Sequence, residues 1–478
     1  MRISFNDVFD KLLYNSNMTE EERLISVVPS ERQLEFQKTE FYAFVHFTVN
    51  TFTDKEWGDG SESPSIFNPQ KLDANQWVSA IKSAGMKGLI LTCKHHDGFC
   101  LWPSKFTKHT VAASPYKGGK GDIVREVSQA CKNQGIKFGV YLSPWDRNCS
   151  LYGQGKAYDD FFVNQLTELL TNYGEIFSVW FDGACGEGPN GKKQYYDWER
   201  YYSVIRKLQP KACISVCGPD IRWCGNEAGY TRESEWSVVP ERAKDSEIIS
   251  EKSQQVDNEE FRLRRVDARD RDLGSRELLK NEEKLIWYPA EVNTSIRPGW
   301  FYHEYEDDKV RSLQELVKIY MNSVGGNATF LLNIPPTREG LFHQNDVARL
   351  KELGDFLRNA FAVNLAEKAA FEEDASGEDA SGEAGVFTIT VKLEKMEQIK
   401  YLVIQEDIRK SQRVEKFSVE IKKDGLFEKV YDGTVIGYKK IVSLCGDSLS
   451  AIGVTTDCLR IKINECRKEP VISFVGVY

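Results

Sequence analysis

The sequence is poor in the features that mark several common functions. Its 11 cysteines are an odd number, scattered over 478 residues with no Cys-x-x-Cys pair. No Cys/His set has zinc-site spacing, and nothing suggests a disulfide framework. Cys93, Cys213 and Cys217 lie in apolar runs, which predicts reduced, buried thiols. No apolar run approaches the ~18 residues of a membrane span. The opening residues, Met1-Arg-Ile-Ser-Phe-Asn-Asp-Val8, lack the apolar core and small-residue cleavage site of a signal peptide. With the thiol usage, this predicts a cytoplasmic location. A basic excess is also missing. The net charge of −9 and pI near 5.5 leave no footprint for nucleic acid or an anionic membrane.

Aromatic residues are abundant, at 12% with 10 Trp and 20 Tyr. Only 6 histidines are present, and two stand side by side in Leu91-Thr-Cys-Lys-His-His-Asp-Gly-Phe-Cys-Leu-Trp102. Neighbours on a strand point to opposite faces, so His95 and His96 can share a pocket only where a strand ends. A Lys, two His and an Asp beside Phe99 and Trp102 suit a sugar: polar groups for hydroxyls, aromatic faces for C–H surfaces.

Strand-like runs at 41–47, 87–93, 136–142, 176–182, 212–217, 235–239, 285–288 and 329–334 alternate with amphipathic segments at 73–84, 122–133, 158–172, 195–208 and 312–322. Asp73 is a candidate N-cap, and Gly85 and Gly135 are candidate stops. Eight strands with intervening helices predict an α/β fold, a (β/α)8-like barrel, over residues 1–360. The charged stretch 241–284 reads as a solvated excursion placed to overhang the barrel mouth. The acidic duplication at 372–383 reads as an exposed loop near a domain boundary. Short alternating runs from 386 onward predict an antiparallel β-sandwich over 361–478. That segment has no tryptophan, so packing against the barrel is expected of it rather than sugar binding.

Barrel active sites form where strands end at the C-terminal face. His46, His95, His96, Tyr141, Trp145, Asp146 and Asp182 all fall at such ends. The fourth strand runs Val179-Trp-Phe-Asp-Gly183, an apolar strand stopping at a carboxylate before glycine, which is how a barrel presents a nucleophile. Glycoside hydrolysis needs a second carboxyl group as acid/base. Glu227 and Glu291 both lie among aromatics able to raise a carboxyl pKa, and the residues leave the choice between them open. The His-His-Asp cluster also suits a metal. No further His or carboxylate set from the third strand completes one, so neither metal nor cofactor is expected.

Seven motifs together carry a resemblance: Phe44-Val-His-Phe47, Glu56-Trp57, Thr92-Cys-Lys-His-His-Asp-Gly-Phe99, Gly139-Val-Tyr-Leu-Ser-Pro-Trp-Asp146, Trp180-Phe-Asp-Gly-Ala184, Arg297-Pro-Gly-Trp-Phe301 and Asn327-Ala-Thr-Phe-Leu-Leu-Asn-Ile-Pro335. In this order the sequence resembles the α-L-fucosidases of glycoside hydrolase family 29. The resemblance implies a metal-free retaining exo-hydrolase acting on fucosylated oligosaccharides or glycans, with Asp182 as nucleophile. It implies a fucose pocket of His46, Glu56, Trp57, His95, His96, Tyr141 and Trp300. The segment Asp220-Ile-Arg-Trp-Cys-Gly-Asn-Glu227 resembles the branch that cleaves α-1,3/1,4-linked fucose from Lewis-type glycans. This implies Glu227 as acid/base, with Glu291 and Asp220 near the neighbouring galactose. The alternatives are a broad-specificity α-L-fucosidase and a catalytically silent fucose-binding protein. No partner beyond the glycan is implied, and the oligomeric state is left open.

Overall fold

The computed structural model describes residues 18–245, 272–378, 384–446 and 452–478. Strands β1 (Phe41–Val45), β2 (Gly88–Lys94), β3 (Lys137–Leu142), β4 (Ser178–Phe181), β5 (Cys213–Val216), β6 (Arg222–Trp223), β9 (Ala290–Ser295) and β10 (Ala328–Asn333) form one eight-stranded parallel sheet. Its order is β5-β4-β3-β2-β1-β10-β9-β6, and a parallel bridge between Ser215 and Ile221 brings its two edges together. The result is a nearly closed barrel. Helices α1 (Ala74–Ser83), α2 (Ile123–Gln134), α3 (Lys156–Asn172), α4 (Trp198–Leu208), α5 (Leu313–Ser323) and α6 (Gln344–Ala360) form its outer shell.

Local chemistry sets these elements. Asp73, Asp122, Asp197 and Ser312 each accept a backbone N–H at a helix start, and Gly135 closes α2 at φ 72°. The strands sort by alternation. On β1, Ala43 and Val45 pack outward with the helix shell, while Tyr42 and Phe44 pack inward with Ile90, Tyr141, Trp180 and Leu331. In the shell, Trp77 is fully buried and its Nε1 donates to the Gly340 carbonyl (2.9 Å). Truncating such a residue to Ala typically costs about 3–5 kcal/mol. Phe36, on the short helix Glu31–Gln37, belongs to the inward cluster and plugs the base of the barrel.

Two expectations are corrected, and a third falls largely outside the described residues. The runs at 235–239 and 285–288 are not barrel strands: they form an antiparallel ribbon, β7 (Val238–Pro240) with β8 (Leu285–Trp287). Their places in the barrel go to β6 and β9, whose inward faces are too polar to read as apolar runs. The excursion 241–284 falls partly outside the described residues, at 246–271. In its described part, the Leu279 and Glu282 carbonyls accept from the Arg23 guanidinium (2.7 and 3.0 Å). Finally, part of the acidic duplication is strand. β11 (Ala370–Glu378) pairs antiparallel with β12 (Ala384–Ile399) at a sheet edge, where exposed Glu372, Glu373 and Asp374 discourage further pairing. Residues 379–383 lie outside the described set.

The C-terminal part is antiparallel throughout. β11, β12, β17 (Val454–Cys466), β14 (Val414–Lys423) and β15 (Leu426–Gly433) make a five-stranded sheet. β16 (Lys440–Ser443), β13 (Tyr401–Glu406) and β18 (Ile472–Val477) make a three-stranded one. A separate apolar core between them includes Val391, Leu402, Phe417, Leu459 and Val477. Asn327 ties this unit to the barrel, donating to the Glu235 carbonyl (2.7 Å) and accepting from Tyr438 N–H (2.7 Å).

Candidate active site

The C-terminal ends of the strands open into a pocket with roughly 690 Å³ of empty space, part of it open solvent at the mouth. Its walls carry His46, Trp57, His95, His96, Trp180, Asp182, Trp223, Glu227, Asn293 and Trp300. Strand alternation explains much of this set. His46 continues the inward face of Tyr42 and Phe44, and Asp182 continues that of Trp180.

Asp182 is fixed through both oxygens. Oδ2 accepts from the Tyr141 hydroxyl (2.9 Å) and Oδ1 from Ala184 N–H (2.8 Å). Burial raises its pKa, partly offset by these two bonds. Tyr141 is itself fully buried, and burial together with the Asp182 charge holds its hydroxyl protonated. Tyr141 therefore orients the carboxylate from behind, where a sugar contact was expected.

The histidines are neutral acceptors. Burial lowers the pKa of His46 to about 4 and of His96 to about 3, and drives that of His95 well down. Asn333 Nδ2 donates to Ser295 Oγ (2.9 Å) and to the Trp300 carbonyl (2.8 Å), so Asn333 Oδ1 must accept from His46 Nδ1 (2.8 Å). Ser143 Oγ donates to the Trp145 carbonyl (2.7 Å) and so accepts from His96 Nδ1 (2.7 Å). Both rings thus keep an Nε2 lone pair for other donors, such as sugar hydroxyls. In His96 that atom lies 3.7 Å from Asp182 Oδ2. His95, His96 and Asp182 bring ligand atoms within 4.8 Å of one another, a grouping that could hold a metal ion. The sequence did not foresee Asp182 as the third member of that cluster.

Glu227 shares the pocket with Asp182 because of a short, internally bonded loop. Asn226 Oδ1 accepts from Ala228 N–H (3.1 Å), Asn226 Nδ2 donates to the Tyr230 carbonyl (2.9 Å), and Gly225 and Gly229 turn at φ 100° and 89°. Val216, on the same wall, holds a left-handed φ of 68°, rare for a β-branched residue. Such strain persists where the surroundings fix it. Here the Tyr288 hydroxyl bonds the carbonyls of Val216 (3.3 Å) and Gly218 (2.6 Å).

Three expected contacts stand elsewhere. Glu291 is fully buried one layer below the pocket, with its carboxylate taking the Trp180 Nε1–H (2.7 Å) and the Tyr42 hydroxyl (2.5 Å). Burial raises its pKa to about 7. It lies one pleat, about 6.6 Å, below Asn293 on the same face of β9, so it meets neither a scissile bond nor a galactose. Asp220 sits at the opposite end of the barrel. It accepts two bonds from Arg206 (2.7 and 2.6 Å) and one from Ile214 N–H (2.8 Å). Its position before β6 puts the strand between it and the mouth. Glu56 stands behind the pocket wall, accepting the Trp300 and Phe301 N–H groups (2.9 and 3.2 Å).

Trp223, Asn293 and Asn333 were missed. Trp223 Nε1 donates to Asn293 Oδ1 (2.8 Å) beside Glu227. Only for Asn333 was there a usable signal, since it ends the apolar run Phe330-Leu-Leu-Asn333 as Asp182 ends β4.

A barrel that holds two carboxyl groups in an aromatic-walled pocket at its C-terminal face defines the class: a glycoside hydrolase. The family model "Alpha-L-fucosidase" matches residues 24–360. Alpha-L-fucosidase 1 of Arabidopsis thaliana is 37% identical, over 94% of this chain and 87% of its own. A glycoside hydrolase 29 family member from a rumen bacterium superposes with a TM-score of 0.78 at 39% identity, covering 95% of this chain and 77% of that one. A Ruminococcus gnavus GH29 fucosidase solved in complex with fucose gives 0.78 at 29% identity, covering 95% of each chain. The chain belongs to the alpha-L-fucosidase family.

Proposed function

We propose that this α-L-fucosidase is a retaining exo-hydrolase that removes terminal α-1,3/1,4-linked L-fucose from branched, Lewis-type glycans. The observation that carries the reading is the joint presence of Asp182 and Glu227 on the walls of one pocket, the first oriented by Tyr141 and Ala184. Asp182 attacks the anomeric carbon while Glu227 gives its proton to the departing glycan oxygen. The resulting fucosyl ester is cleaved by water that Glu227 deprotonates, and the carboxylate of Asp182 is restored. Neutral His46 and His96 accept hydrogen bonds from sugar hydroxyls, and Trp57, Trp180 and Trp300 cover the ring's apolar faces. His95, His96 and Asp182 serve the sugar and not a metal. The linkage preference draws support from the segment that carries Glu227 and from Trp223 and Asn293 next to it, where the sugar beyond fucose would rest.

Time-resolved proton NMR tests this with two substrates, a Lewis-type trisaccharide and an α-1,2-fucosylated lactose. The expected result is α-fucose appearing before mutarotation, at least tenfold faster from the Lewis sugar. Initial release of β-fucose would refute retention. Equal rates on both sugars would favour broad specificity.

A further inference from the structure

His303 lies behind the pocket, away from the reacting groups, yet this buried ring is the centre of a chain of charges that runs out to exposed Asp54. Its Nδ1 is 2.7 Å from Asp54 Oδ1 and its Nε2 is 2.7 Å from Glu56 Oε1. Only the doubly protonated ring can donate at both nitrogens; the neutral ring sets a lone pair against one carboxylate. Glu56 in turn accepts the N–H groups of Trp300 and Phe301. The carbonyl of Trp300 is held by Asn333, which also fixes His46. Gly299 leaves no slack, because a Cβ there would fall 2.7 Å from Glu56 Oε1 and 2.8 Å from His303 Cδ2.

We propose that His303 is a positioning residue: clamped between Asp54 and Glu56, its imidazolium fixes the Trp300 wall of the sugar pocket. The inference rests on the pocket reading above, and it names a residue that does not touch the sugar. The charges around His303 are Asp54, Glu56 and Glu306, with Arg338 4.0 Å from Asp54. Tyr305 stacks on its ring at 5.1 Å. Burial opposes the imidazolium, but its bonds to Glu56 and Asp54 prevail and hold its pKa above the ordinary histidine value. Deprotonation at high pH therefore releases one carboxylate contact and loosens the wall, which gives sugar binding an alkaline limit.

The test uses the full chain with 4-nitrophenyl α-L-fucoside as substrate and fucose as competitive inhibitor, from pH 5 to 9. His303→Gln should raise KM and the fucose Ki by about tenfold to a hundredfold, with a smaller change in kcat. It should also remove the alkaline limb of kcat/KM that the wild type shows. Asp54→Asn, at a half-exposed position that should leave folding intact, should move that limb to lower pH. A fucose Ki and an alkaline limb unchanged in both variants would overturn the proposal. So would a weakened Ki with the limb unmoved, since that marks a merely structural residue. The fucose Ki does not depend on linkage preference or stereochemical course, so those readings fail separately from this one.

Discussion

Asp182 and Glu291 are both carboxyl groups facing the barrel interior, and both sit beside Trp180. Asp182 lies just past a strand end, with its side chain 23% exposed. Glu291 lies within a strand, fully buried, its oxygens taken by Tyr42 and Trp180. The same contrast holds within one segment, where Asp220 is ion-paired at the base and Glu227 lines the mouth seven residues later. Residue type and aromatic neighbours do not separate the members of these pairs. What separates them is height in the barrel, because only groups at the strand ends can meet a ligand.

The largest effect is expected at Asp182, the proposed nucleophile. Asp182→Asn should lower kcat by more than about 10⁴-fold while the melting temperature stays within a few degrees. Retained turnover would place the chemistry elsewhere. Glu227→Gln should cost about 10²–10⁴-fold in kcat/KM on a Lewis-type glycan and far less in kcat/KM on an aryl fucoside, whose leaving group needs no proton. Equal losses on both would deny Glu227 the acid role.

Glu291→Gln should leave both rates close to wild type and alter stability instead. Its pKa rises from 4.5 to about 7 on folding, so the folded chain binds this proton more tightly than the unfolded chain does. The associated stabilisation, on the order of 3 kcal/mol, is complete below pH 4.5 and is lost as pH rises through 7. In the Gln variant the melting temperature should therefore fall less between pH 5 and 7.5. Glu406 and Asp97, also raised to about 7, retain their share of that slope. Calorimetry across that range decides it. The smallest expected effect is that of a chelator. Dialysis against EDTA should leave kcat/KM unchanged, and a loss restored by one divalent ion would reassign His95, His96 and Asp182 as metal ligands.

Much of this was legible in the sequence where apolar runs end in polar residues, as at β1, β2 and β4. It was not legible where the barrel turns polar inside. β9 reads Ala-Glu-Val-Asn-Thr-Ser, and its inward Glu291, Asn293 and Ser295 mask a strand that is buried throughout. The more apolar ribbon of β7 and β8 took its place in the reading. Partnerships across the chain were equally hidden. The His46–Asn333 bond spans 287 positions and the His303–Glu56 bond 247, so neither pairing could be read from local sequence.

The proposed mechanism requires that Asp182 become covalently bonded to the sugar. A slowly turned-over 2-deoxy-2-fluoro-L-fucosyl fluoride, followed by peptide mass spectrometry, tests it directly. One fluorofucosyl label per chain is expected, on the peptide Val179–Ala184 and at Asp182. A label on Glu227 or Glu291, or turnover with no adduct while Asp182→Asn remains active, would contradict it.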